Sequence, residues 1–322
     1  MIKKLFGIFF AFLFIFFVFI YYILFKPNNL KKPIQFEIKK REYPLEILKK
    51  LKEEKIILSD KITYFYLIVT KKDKKIKAGE YLIEPKINFI DLIKKFIEGK
   101  VITISITLKE GWTIFDYAKE FSEKKICTYE EFIEETKKTP QWLKAKNLEG
   151  FLYPDTYFFS KNARPKEIID RLHKNFLNKI KDLRDEIESS NFSIYEIITL
   201  ASIVEKEAKL ENEKARIAGV FLNRLEKKMR LEADPTVIYA MNLAGLKIIK
   251  LVRDDLKFPS LYNTYLNYGL PPGPICNPSI SSIKAVLNPE KNNYFYFVSK
   301  GDGSHYFSNN LKEHIKAIQI YR

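Results

Sequence analysis

The chain has 322 residues, 46% of them hydrophobic, so it can bury a core and has room for about two domains. Two cysteines (Cys127, Cys276) and three histidines (His173, His305, His314) fit neither a disulfide framework nor a metal-ligand spacing, so neither a metal nor a cofactor is expected. A net charge of +16 is scattered along amphipathic segments instead of forming a basic tail or an RNA-binding motif; this argues against nucleic acid and for a solvated basic face or attraction to an anionic membrane and cell-wall matrix.

After MIKK, the run LFGIFFAFLFIFFVFIYYILF (5–25) carries no charge, and as a helix it spans ~30 Å, the thickness of a bilayer core. A cleavable signal peptide would need a shorter apolar core and a small-residue cleavage site, and YYILFKPNN offers none. The expectation is an uncleaved single-pass anchor. Lys3 and Lys4 before it, and Lys26, Lys31 and Lys32 after it, leave its orientation undecided by charge. KPNNLKKPI (26–34) reads as a polar linker that lifts the rest of the chain away from the lipid.

Residues 35–100 read as a small α+β domain. It has a helix opening at Pro44, a strand in AGEYLIEP, and an amphipathic helix in NFIDLIKKFIEGK that stops at Gly99. The strand VITISITLKEGW opens a larger mixed α/β domain, 101–322. Helices are predicted over 113–123, 129–138 and 165–189, and LEGFLYPDTYFF between them reads as an aromatic loop. Ser193 and Glu196 form a capping box that starts a helix at about Ile194. The stretches NRLEKKMRLEADPTVIYA and YNTYLNYGLPPGPICNPS read as loop-rich. A hairpin turning at Gly301–Gly303 and a helix from about Leu311 close the chain.

The helix from Ile194 ends in LASIVEKEAKL, with two acids two residues apart. If Ile197, Leu200, Ile203 and Val204 form the buried stripe, the stripe continues to Glu207. Glu205 then falls ~200° away, on a wet side beside Lys209. Glu207 is thus expected at a cleft with its charged form disfavoured, as a proton donor to a glycosidic oxygen requires. Alternatively, Glu207 only ends the stripe and pairs with Arg216 or Arg224.

The surrounding block separates these readings. VEKE, NRL, DPTVIYA, YNTY, GLPPGPI.NP and YFYFVSKGDGSHYFS occur in an order and spacing that resemble the YceG-like family of endolytic murein transglycosylases. The likeness is close from about Leu148 onward and looser before it. It implies an α+β protein with an N-terminal transmembrane helix, a small LysM-like domain and a lytic transglycosylase domain. It also implies a place in the inner membrane, with residues 1–4 as a cytoplasmic tail and the catalytic domain outside the cytoplasm. The substrate implied is the nascent peptidoglycan strand; the other partners are the lipid bilayer and peptidoglycan synthases. The catalytic glutamate is carried onto Glu207, with Glu205 as the second candidate.

For substrate binding the matching elements supply Asn223, Asp234, Thr236, Tyr262, Asn263, Thr264, Tyr265, Gly273 and Asn277. Tyr262 and Tyr265 suit stacking on sugar faces, and Asn263 and Thr264 suit donation to acetamido or hydroxyl oxygens. The proline-rich loop suits a rigid wall. Two other readings remain open: a muramidase-type hydrolase using Asp234 or Glu232 as second carboxylate, and a non-enzymatic scaffold for cell-wall synthesis.

Overall fold

The structure, a computed structural model, describes residues 2–321 other than Lys247 and Ile249. Met1 of the expected tail and Arg322 of the expected larger domain lie outside the described residues. The chain forms two compact units: 1–104 with 158–162, and 105–157 with 163–322.

The first unit contains α1 (Ile2–Phe25), β1 (Ile34–Ile38), α2 (Pro44–Glu53), α3 (Asp60–Val69), β2 (Gly79–Ile83) and α4 (Phe89–Glu98). Strands β1 and β2 pair antiparallel, with Phe36 opposite Tyr81, and place alternate residues in a core closed by Leu48, Leu51, Leu67, Leu92 and Phe96. Helix α3 went unread in the sequence because DKITYFYLIV is apolar on nearly every side. Helix α1 is the one described helix long and apolar enough to cross a membrane, over Phe6–Phe25.

The segment 26–34 is not the spacer expected from its composition. Asn28 is buried, accepts from the backbone N–H groups of Leu30 and Lys86, and donates to the carbonyl of Glu84. With the Asn28 N–H bonded to the carbonyl of Ile87 as well, the stretch is fastened to the β2–α4 turn. Ile23 and Leu24 of α1 are themselves buried in the first unit.

The second unit follows β3 (Thr103–Thr107), in which the boundary falls. Its elements are α5 (Ile114–Glu123), α6 (Tyr129–Thr136), the start of β4 (Thr156–Ser160), whose residues from Phe158 belong to the first unit, α7 (Pro165–Ile180), α8 (Arg184–Ser189), α9 (Ile194–Glu207), α10 (Lys214–Glu226), α11 (Asp234–Leu243), α12 (Ile280–Leu287), β5 (Tyr296–Ser299), β6 (His305–Ser308) and α13 (Leu311–Tyr321). Capping boxes at Thr113/Asp116, Thr128/Glu131 and Ser193/Glu196 fix three helix starts. The helix expected over 165–189 breaks into α7 and α8 at a 3-10 turn, Lys181–Leu183. The expected aromatic loop turns into strand at Thr156, and DPTVIYA is the start of α11 instead of a loop.

The chain has only 11 glycines, and lysines take the left-handed positions that glycine usually fills after helices. Lys55, Lys71, Lys125 and Lys228 follow α2, α3, α5 and α10 with φ between 52° and 59°. Each costs about 1 kcal/mol relative to glycine.

Helix α9 is the centre of the second unit. Every residue from Ile197 to Val204 is buried, with α10, α11 and α12 packed around it. A helix enclosed on all sides has no wet face along most of its length.

Candidate active site

Glu207 is the last residue of α9, where the helix emerges from its packing, and it is half-buried. Its side chain lines a cavity of about 510 Å³, with Arg224, Glu232, Asp234, Arg253 and Tyr265 as further polar walls. The hairpin contributes Tyr296, Phe297 and Val298, and α13 contributes Leu311, His314 and Ile318. The lining is mixed, with five charged side chains set among apolar and aromatic ones.

Three of the sequence-predicted residues, Glu207, Asp234 and Tyr265, therefore meet in one cavity. The phenol of Tyr265 donates to Asp234 Oδ1 at 2.6 Å. Burial first, and this bond second, hold the Tyr265 hydroxyl far above its ordinary pKa, with the charges of Glu207 and Glu232 adding to the effect. It is a fixed donor at any physiological pH.

Most of the other predicted residues build the walls. The hydroxyls of Thr236 and Thr264 lie 2.9 Å apart, and Thr264 Oγ1 accepts from the Ala233 N–H at 3.0 Å; this joins the YNTY turn to the start of α11. Asn263 accepts from the Tyr265 N–H and donates to the carbonyls of Leu256 and Phe258. Asn277 accepts from the N–H groups of Gly150 and Leu152 and donates to the Trp112 carbonyl and to Glu149. The side chains of Thr236, Asn263, Thr264 and Asn277 are buried, and their hydrogen bonds are made inside the protein. The donors expected for sugar oxygens thus hold backbone in place.

Asn223 faces away from the cavity and ties α10 to the carbonyls of Asn292 and Tyr294. Tyr262 packs on Tyr239, with ring centroids 5.0 Å apart. Gly273 is needed for close approach: a Cβ there would sit 2.2 Å from the hydroxyl of Tyr195. Arg216 pairs with Glu290, and Arg224 pairs with Glu232 while donating to the carbonyls of Leu231 and Phe295. The hairpin does border the cavity, but His305 is held elsewhere, with Nδ1 2.7 Å from Glu213.

Glu205 is the largest correction. Its side chain is 9% exposed instead of wet. Oε2 accepts from the Ser279 N–H at 3.0 Å and from the hydroxyls of Ser279 and Ser282 at 2.5 Å, with the buried Lys214 ammonium at 3.4 Å. The carboxylate thus joins α9 to the first turn of α12, where helix N–H groups favour negative charge. Glu205→Gln removes the buried charge that accepts from Ser279 and Ser282, while Lys214 keeps Glu211 at 2.6 Å. It should destabilise the fold by about 2–4 kcal/mol, read as a lowered midpoint in thermal unfolding; an unchanged midpoint would count against this anchoring.

Glu149, which drew no attention in the sequence, is 2% exposed inside the same unit. It accepts from the Ile114 N–H at 3.1 Å, from Tyr239 Oη at 3.2 Å and from Asn277 Nδ2 at 3.2 Å. Burial pushes its carboxyl up from 4.5 to about 8 despite these donors. The aromatic run LEGFLYPDTYFF holds two acids, Glu149 and Asp155, and nothing in the sequence singles out the first.

A mixed α+β unit whose buried central helix delivers a carboxylate to a cavity beside a second acid and a phenol defines a candidate acid–base enzyme. The model of the YceG-like family matches residues 36–320, and the chain belongs to this family. An endolytic murein transglycosylase of Bacillus subtilis is 41% identical over 175 residues, which are 54% of this chain and 48% of that protein. One from Streptococcus pneumoniae is 33% identical over 174 residues, 53% of this chain and 32% of its own. The chain thus matches about half or less of the length of these curated relatives. A crystal structure of a yceG-like protein from Listeria monocytogenes superposes with a TM-score of 0.61 at 33% identity, covering 89% of this chain and 100% of that one.

Proposed function

We propose that the protein is a membrane-anchored endolytic lytic transglycosylase that cuts nascent peptidoglycan strands between N-acetylmuramic acid and N-acetylglucosamine, ending their elongation. The observation that carries this reading is the position of Glu207, at the mouth of α9 and in one cavity with Asp234 and Tyr265. The names of the Bacillus and Streptococcus relatives support the substrate class.

In this reading Glu207 starts protonated and gives its proton to the glycosidic oxygen as the bond from that oxygen to the muramyl C1 breaks. The Glu207 carboxylate then takes the proton of the muramyl C6 hydroxyl while O6 bonds to C1. The product end is a 1,6-anhydro sugar, the proton is back on Glu207, and no water is consumed. One carboxyl serves in turn as acid and base. The bond between Tyr265 and Asp234 fixes part of the cavity wall, and Tyr296 and Phe297 offer apolar faces for sugar rings.

Helix α1 is the membrane anchor in this proposal, with the second unit outside the cytoplasm and within reach of synthases that make the strands. The first unit, in which two antiparallel strands flank two helices, serves as a LysM-like module that holds glycan.

The cavity also contains Glu232 and Asp234, so a muramidase-type hydrolysis with one of them activating water is the second reading. Mass spectrometry of peptidoglycan digested by the full chain in detergent decides between them. Anhydro-muramyl ends without reducing ends are expected. Reducing ends alone would establish the hydrolase, and undigested strands would leave the scaffold.

A further inference from the structure

We infer that the exposed face of α3 is a membrane-contact surface that lies in the headgroup region of an anionic bilayer beside α1. This rests on the reading of α1 as a membrane span and adds to it a lipid-facing surface on the folded unit.

From Phe6 to Phe25, α1 rises ~30 Å, enough for a hydrocarbon core. Its last turns are not available to lipid on all sides, because Ile23 and Leu24 are buried in the first unit and Ile20 packs against that unit's core. The portion clear of the unit, Phe6 to Phe19, rises only about 21 Å. No spacer makes up the difference, since Asn28 fastens the following segment to the β2–α4 turn. For α1 to span, the first unit must be drawn down into the membrane interface.

The unit carries a surface suited to that position. Helix α3, which lies against α1, exposes Phe65 (65%), Ile68 (45%) and Val69 (63%) at i, i+3 and i+4, a single apolar stripe facing away from the core residues Thr63 and Leu67. Exposed Leu58 precedes the helix. Lys61 lies one turn before Phe65, and Lys71, Lys74 and Lys75 follow the helix, all exposed. An apolar stripe bordered by lysines is the composition that settles at an anionic lipid surface.

The test uses the full chain in vesicles containing phosphatidylglycerol, with Phe65→Trp and Phe14→Trp made separately. Each is read as added emission over the unsubstituted protein, whose Trp112 and Trp142 belong to the second unit. The tryptophan at 65 should be blue-shifted and lose most of its emission to lipids brominated near the headgroup end of the chain. That at 14 should be quenched by lipids brominated deep in the chain. Quenching at 14 with none at 65 overturns the inference and leaves the anchor standing, whereas quenching at neither position removes the anchor and the inference together. Equal quenching at 65 in vesicles of phosphatidylcholine alone overturns the requirement for anionic lipid.

Discussion

Glu207→Gln is expected to lower the rate of anhydro-muramyl product formation by about 10²–10⁴-fold, the usual worth of a positioned general acid–base group. The amide has nearly the shape of the acid but carries no proton of suitable acidity and cannot recover one from a hydroxyl. Glu207 sits at the rim of a cavity, outside the enclosed length of α9, so the substitution should leave the unfolding midpoint nearly unchanged. Glu205→Gln should behave in the opposite way, losing stability through the Ser279, Ser282 and Lys214 cluster. The two variants thus form a pair in which activity and stability separate. A Glu207→Gln protein that still produces anhydro ends at the normal rate would remove this residue from the chemistry.

A second large effect is expected at Glu149, and it is one of stability. Its carboxyl is raised from 4.5 to about 8 in the folded protein. Below pH 4.5 both states hold the proton and the group contributes no pH dependence. Between 4.5 and 8 the unfolded chain releases the proton while the folded protein keeps it, so stability falls as pH rises; above 8 the loss levels off. At about 1.4 kcal/mol per pKa unit the window is worth on the order of 5 kcal/mol.

Glu149→Gln removes the titration and retains an oxygen for the Ile114 N–H, so it should flatten this slope and raise stability at pH 8 relative to pH 5. Glu149→Ala should instead cost about 3 kcal/mol or more at every pH, because the Ile114 N–H, Tyr239 and Asn277 lose a buried acceptor. Denaturant unfolding from pH 4 to 9 on the three proteins checks both. Identical slopes for the parent and Glu149→Gln would show that Glu149 is not the titrating group.

The elements around the site were legible where local chemistry decides them. Ser193 and Glu196 announce the start of α9, and the hairpin turn and α13 stand where their glycines and periodicity put them. Glu205 was misread because a helical wheel assigns a wet face to any residue opposite the apolar stripe. Here α12 closes over that face, and Ser282 in its first turn and Ser279 just before it donate to the carboxylate. Thr236, Asn263, Thr264 and Asn277 were misread for a related reason. Their chemistry suits a ligand or a backbone equally well, and only the tertiary path of the loops brings the backbone partners to them. Glu149 is invisible to periodicity altogether, since its donors come from positions 35, 90 and 128 residues away.

The chain leaves the first unit after Ile104, returns for Phe158–Asn162 and leaves again. A module attached at one end can be lost, duplicated or traded by a single recombination event, but one whose chain is revisited in this way cannot. A gene break at 104 would strand the returning five residues with the wrong partner. Swapping the first unit for that of a relative therefore requires two grafts, 1–104 and 158–162, made at once.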